Sequence, residues 1–161
     1  MTPENVVFKS KTQALALWNN VYEPHSTKLL TKLAESHPDL PVHILSSHYG
    51  PNLSDPESAI ASSSLGKVGR VLTSVVAVAC LRAQQGVSPQ VASHIFGLRN
   101  SKLPNSGAEK EPKIEGVEFL TSDEGAMWLL HEVDRIVAVV TEGQAPASFA
   151  GPRAVPYTHL T

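Results

Sequence analysis

The sequence has 161 residues, of which 42% are hydrophobic and 17% charged, and its formal net charge is -2. This length suits one domain with a hydrophobic core, and the composition is globular, not that of a disordered chain. The net charge is slightly negative, aromatic residues are few, and none of them lies inside a basic cluster. These features argue against nucleic-acid binding.

The sequence also predicts where the protein resides. Cys80 is the single cysteine, so no intrachain disulfide forms, which fits a reducing compartment. The first residues lack the continuous apolar segment of a secretory signal. The most apolar stretch, residues 68–81, is too short to cross a bilayer. We therefore expect no membrane association and an intracellular, cytoplasmic protein, with mitochondrial and peroxisomal locations left open.

Apolar periodicity predicts an all-α fold without strands. The predicted helices run from about Ser10 to Tyr22, from Ser26 to the residue before Pro38, from Pro41 to Gly50, from about Gly66 to Gln85, from Pro89 to Arg99, and from Thr121 to about Thr141. Side chains of Ser26, Asp39, Ser88 and Thr121 are the expected N-caps, with Glu124 completing a capping box.

These helices are expected to form one domain over residues 1–161. The helix from Gly66 is the most apolar one, so it is predicted to lie in the centre, buried nearly all round, and to end at Gly86. Residues 51–65 are a connection rich in proline and serine, residues 100–116 a mobile loop, and residues 144–161 an extended tail.

The most informative side chain is that of His94. It shares a helix face with Val91, Ile95 and Leu98, which places it toward the core. One interpretation is a packed core histidine that makes a single hydrogen bond. The other is a general acid/base, or proton shuttle, whose pKa is set by partial burial.

Polar residues near the same turn favour the functional interpretation. Arg82 is predicted to bind an anionic group of a substrate, and Gln84 and Gln90 to orient it. His48 and Tyr49, at the end of the third helix, are further candidates for substrate binding.

Neither metal nor thiol chemistry is expected. His43 and His48 are five residues apart, a spacing that separates them on an α-helix, and no histidine pair combines with a carboxylate at ligand spacing. Cys80 lies near a helix C-terminus, which opposes thiolate formation, so we expect a buried structural cysteine.

The segments GRVLTSVVAVACLRAQ, GVSP and QVASHIFGLR, with EGAMWLLHEVDRIV as weaker support, resemble the carboxymuconolactone decarboxylase and alkyl hydroperoxidase D superfamily, of the kind found in fungal genomes. The resemblance covers about residues 20–142. It implies a helical fold like that of alkyl hydroperoxidase D, assembled as trimers or larger rings, with pockets near the subunit contacts.

The resemblance also limits which reactions we expect this protein to catalyse. Peroxidases of this family carry a CxxC pair four residues before a histidine, and aligning that histidine with His94 puts Val87 and Gln90 at the cysteine positions. A dithiol peroxidase needs both thiols, so its chemistry is expected to be absent. The decarboxylase branch implies acid/base catalysis by His94 without a cofactor.

Three functions remain open at this point. The first is a cofactor-free enzyme that acts on a small organic acid, lactone or related metabolite. The second is a non-catalytic oligomer that binds or scaffolds, and the third is a peroxidase that uses Cys80.

Overall fold

The computed structural model describes residues 3–55, 67–102 and 114–141, with side chains from Lys11 onward. Every regular element in these ranges is helical, which confirms the all-α class. The elements are α1 (Pro3–Tyr22), α2 (Ser26–Ser36), α3 (Leu40–His43), a π-helix (Ile44–Leu53), α4 (Gly69–Gln84), α5 (Ser88–Asn100), α6 (Val117–Leu120) and α7 (Asp123–Thr141).

A first core cluster joins α1 to the π-helix. The buried face of α1 repeats at helical spacing, and Tyr49 of the π-helix packs against it. Partly buried leucines of α2 close the cluster from the side. The buried members are Ala14, Leu17, Trp18, Val21 and Tyr49.

A second core cluster joins α4, α5 and α7. Each of the three helices contributes residues from one apolar stripe. The buried members are Val71, Val78, Leu98, Leu129 and Val133. Because α5 also packs against α1, it lies between the two clusters.

The expectation that α4 is buried nearly all round is wrong. Leu72 is 38% exposed and Val76 is 54% exposed, and Cys80, one turn further on, is exposed as well. Helix α4 packs against α5 and α7 with its opposite face only. Among the described residues, this face of α4 therefore meets solvent.

Proline and apolar periodicity predicted several helix ends correctly, but not the N-caps. Ser26, Ser88 and Thr121 do not cap, because α2 and α5 have His25 and Val87 at the N-cap and Thr121 donates its hydroxyl to the Val117 carbonyl instead.

Other side chains hold two of these helix starts. Ser122 accepts a hydrogen bond from the Gly125 amide at the start of α7 (3.0 Å). The Asp55 carboxylate accepts hydrogen bonds from the Val68 and Gly69 amides at the start of α4. Asp39 occupies the N-cap of α3 without a side-chain cap.

The turn between α4 and α5 is built from two residues with positive φ. Gln85 has φ 63° and Gly86 has φ 72°, and α4 ends at Gln84, one residue before the predicted end and two before the glycine that was expected to end it.

Some sequence predictions concern residues that the structure does not describe. The tail from residue 144, most of the connection 51–65 and most of the loop 100–116 lie outside the described residues, while Asn100 still belongs to α5. None of the helices described is both long and apolar enough to cross a membrane.

Candidate functional site

His94 lies on the core side of α5, as its helical register predicts. The residue is 7% exposed, and its Nδ1 has no hydrogen-bond partner within the described structure. Burial lowers the pKa of His94 to about 4, because the charged imidazolium loses its hydration. The ring is therefore neutral at pH 7 and can accept a proton.

The side chains around His94 are mainly aromatic. Its ring meets the edge of Tyr22 of α1 with 6.3 Å between ring centroids. Tyr22 accepts a hydrogen bond from the Tyr49 hydroxyl (3.0 Å), and Trp18 stacks near both tyrosines. Burial raises the pKa of the Tyr49 hydroxyl well above its ordinary value, and the neighbouring Tyr22 adds to this effect. Tyr49 thus stays protonated and remains a donor.

A close approach of two helices sets this arrangement. A Cβ built on Gly97 would lie 3.0 Å from the Val21 Cα and 3.1 Å from the Val21 Cγ2, so only glycine lets α5 come this near to α1. Because Gly97 is one turn after His94 and Val21 directly precedes Tyr22, the same approach places the imidazole against the phenol ring.

A cavity of about 460 Å³ opens beside Tyr22, within the size range of sites for small molecules. It lies between the end of α1, the start of α2 and the outer side of α5. His94 is not in its wall, but its chain neighbour Ser93 is. The lining residues are Val21, Tyr22, Glu23, Pro24, His25, Leu29, Ser93, Phe96 and Asn100.

Arg82 lies in a different place from His94. Its Nε and Nη2 donate to the two carboxylate oxygens of Asp134 on α7, both at 2.7 Å. The pair is half-exposed and lines a separate groove of about 470 Å³, whose wall does not include His94. The hydrogen bond to Arg82 lowers the pKa of Asp134, so the carboxylate remains ionised and paired.

The two glutamines predicted at the site are exposed. Gln84 ends α4 and Gln90 lies in the first turn of α5, and neither belongs to the walls of the two cavities just described. Of the predicted substrate-binding residues, Tyr49 alone belongs to the aromatic cluster around His94. It reaches this cluster by its hydrogen bond to Tyr22, whose ring contacts His94.

His48 points away from that cluster and is exposed. The expectation that a spacing of five residues puts His43 and His48 on different helix faces is wrong, since the two rings lie 5.1 Å apart with planes at 88°. The reason is the π-helix, whose hydrogen bonds span five residues and bring such pairs onto one face.

Cys80 is exposed on α4, so the prediction of a buried cysteine is also wrong. No group of three or more metal-binding side chains occurs within residues 3–55, 67–102 and 114–141. Val87 is partly buried and Gln90 exposed at the positions where the resembling peroxidases carry their two thiols.

Sequence reasoning missed Tyr22 as a site residue. Its position one turn after Trp18, on the face that α1 turns toward the core, was a signal for burial. Nothing in the sequence, however, indicated that this face meets the helix of His94.

Comparison with known proteins gives one informative match. The chain is 32% identical over 107 residues to a Saccharomyces cerevisiae protein named Peroxisomal protein 2. The aligned part covers 65% of this chain and 32% of the yeast protein, so the match spans about a third of that relative's length. No family model and no solved structure matches the chain.

Proposed function

We propose that this chain is a cofactor-free acid/base enzyme of the carboxymuconolactone decarboxylase type, acting on a small organic acid, a lactone or a related metabolite. The observation that carries the proposal is His94, a buried and neutral imidazole whose Nδ1 lacks a partner in the described structure. Such an atom costs free energy, and a contact made during function is a physical reason for it to persist.

The cavity beside Tyr22 is the proposed substrate site. Its wall is largely apolar, with a few polar groups that suit an oxygen-bearing metabolite. Tyr22 is the member of the aromatic cluster that lines this cavity, and the hydrogen bond from Tyr49 orients its hydroxyl. In this proposal Tyr22 contacts a substrate oxygen. His94 contacts the Tyr22 ring but does not line the cavity, so it accepts the substrate's proton only when the substrate or the Tyr22 ring moves to bring the two within hydrogen-bonding distance.

This assignment changes the role expected for Arg82. Arg82 Nε and Nη2 already donate hydrogen bonds to Asp134, and the groove that Arg82 lines is separate from the proposed substrate cavity. We therefore no longer assign binding of the substrate's anionic group to Arg82. In the proposed site, the residues that line the cavity beside Tyr22 bind the substrate.

The test measures proton transfer, which does not require the natural substrate. The full chain is incubated in D₂O with a panel of carboxymuconolactone, simple enol lactones and β-oxo acids, and NMR follows deuterium incorporation, decarboxylation and ring opening. We expect turnover of at least one compound, and a loss of about 10²-fold or more in His94→Gln with the fold intact. His131→Gln, at an exposed position of α7, is the matched control and should retain the wild-type rate.

Two outcomes would overturn the proposal. One is a wild-type protein that changes none of the panel, and the other is a folded His94→Gln variant that retains the full rate. If His94→Gln instead fails to fold, Tyr22→Phe provides the test, because it removes the Tyr22 hydroxyl and keeps the ring of this cavity-lining residue. Unchanged turnover in folded Tyr22→Phe would then count against the site.

A non-catalytic binding or scaffolding protein is the second candidate. The exposed apolar side chains of α4 and α7 favour it, since such surfaces commonly mark contacts with other proteins. In that case ligands bind the cavity but none is converted.

A peroxisomal location is supported by the name of the yeast relative, and a cytoplasmic one remains the alternative. A fluorescent fusion of the full-length gene product, imaged with a peroxisomal marker, distinguishes the two.

A further inference from the structure

Two exposed histidines, His43 at the end of α3 and His48 in the π-helix, form a pair to which the aromatic cluster and the cavities assign no role. His43 and His48 lie outside the aromatic cluster and outside the walls of the cavities described above. On an α-helix, residues five apart point about 140° away from each other. The π-helix brings the two rings to a centroid separation of 5.1 Å instead.

This separation matches the requirement of a shared metal ion. A metal–nitrogen bond of about 2.0–2.1 Å puts an imidazole centroid about 3.2 Å from the ion, so two tetrahedral histidine ligands have centroids about 5.2 Å apart. Both side chains are exposed, so packing does not prevent their χ angles from adjusting when an ion binds.

A neighbouring side chain adds to the fit. Ser47 Oγ lies 3.3 Å from His43 Nδ1. In the tautomer that donates from Nδ1 to this hydroxyl, Nε2 carries the lone pair that a metal needs. Histidines that ligate metals usually have such a partner on the other ring nitrogen, which fixes the orientation of the ring.

We propose that His43 and His48 form a binding site for a late first-row divalent cation such as Zn²⁺, Ni²⁺ or Cu²⁺. Neutral imidazole is a preferred ligand of these ions, whereas Mg²⁺ and Ca²⁺ prefer oxygen. Water fills the remaining coordination positions. Since Tyr49 follows His48 directly, a bound ion would also stabilise the helical register that brings Tyr49 to Tyr22.

The test is calorimetric titration of the untagged, metal-free full chain with ZnSO₄ and NiCl₂. We expect one high-affinity site, and a loss of affinity of about tenfold or more in each of His43→Ala and His48→Ala. The control, His131→Ala, removes an exposed histidine from α7 and should bind as the wild type does.

Electron paramagnetic resonance of the Cu²⁺-loaded protein provides an independent measure. The wild type should show coupling to two imidazole nitrogens, and each single variant to one. The site is refuted if the wild type binds none of the three ions, if His48→Ala retains its affinity, or if His131→Ala loses as much as the other variants. None of these results depends on the proposed enzymatic activity.

Discussion

At the scale of single residues, His94 is the one whose chemistry the fold changes most. Free histidine titrates near pH 6.5, whereas burial holds the pKa of His94 at about 4. No acidic neighbour is among the causes of this shift, which comes from lost hydration alone. The imidazole is therefore neutral, not a permanent cation, at neutral pH.

The lowered pKa makes stability depend on pH in a defined direction. Between pH 6.5 and 4 the unfolded chain binds a proton at His94 that the folded chain does not, so the free energy of unfolding falls as the pH falls through this window. The full loss is about 3 kcal/mol, reached below pH 4. Urea unfolding at pH 7, 6, 5 and 4 should show a fall that is larger in the wild type than in His94→Gln by about this amount.

The comparison of variants isolates His94 from the other titrating groups. Those groups are common to both proteins, so their contributions cancel in the difference between the two pH profiles. His131→Gln, at an exposed position, should retain the wild-type profile. Parallel profiles for the wild type and His94→Gln would contradict a depressed pKa.

At the scale of elements, the crossing of α1 and α5 determines the site. Gly97 permits the close approach, and the helices carry Tyr22 and His94 to each other on either side of it. A larger residue at this crossing would separate both the helix axes and the two rings.

Gly97→Ala tests this crossing. The added methyl would meet the backbone of Val21 at 3.0 Å, which cannot be relieved by a side-chain rotation. Overpacking costs about 1–3 kcal/mol, and the better helix propensity of alanine offsets about 0.8–1.0 kcal/mol of it. We expect a net loss of up to about 2 kcal/mol in urea unfolding and a changed near-UV signal of the Trp18 cluster.

The control for this prediction lies in the same helix. Gln90→Ala substitutes an exposed residue of α5 and should leave both the stability and the near-UV signal unchanged. If Gly97→Ala proved as stable as Gln90→Ala, the close approach would have no energetic importance.

The elements also show which features the sequence could predict. The end of α1 at Tyr22 and the burial of His94 follow from proline placement and helical periodicity, and both are confirmed. The π-helix could not be predicted, because no local pattern specifies it and Tyr49 is held there by packing against α1. The capping of α7 by Ser122 could not be predicted either, because Thr121 fits the N-cap sequence pattern equally well.

The partners within the site were beyond sequence reasoning for a similar reason. Tyr22, Tyr49 and His94 come from three elements far apart in the chain, and the spacing of residues contains no information on which faces meet. Arg82 illustrates the reverse case. It is near His94 in sequence, yet its guanidinium pairs with Asp134 of α7 in a separate groove.

At the scale of the whole molecule, the apolar face of α4 is the surface that the described residues leave uncovered. Leu72, Val76 and Cys80 follow one another at four-residue spacing on the exposed side of the helix. Burying an exposed valine contributes about 1.5–3 kcal/mol, so a second copy of the chain that covers this face would be stabilised. This agrees with the oligomer that the sequence resemblance implies.

We therefore predict that the full chain is a homo-oligomer in solution whose contact includes the α4 face. Light scattering after size exclusion should give a multiple of the chain mass for the wild type and the monomer mass for Val76→Glu, because the contact would bury an unpaired charge. Cys80, one turn from Val76, should react slowly with a thiol reagent in the wild type and faster in Val76→Glu.

Val42→Glu is the matched control, since Val42 is 58% exposed on α3, away from the α4 face. It introduces the same charge and should change neither the mass nor the rate at Cys80. A monomeric wild type with a slowly reacting Cys80 would mean that another part of the same chain covers α4. A monomeric wild type with a rapidly reacting Cys80 would mean that nothing covers it, and the contact between copies would then be refuted.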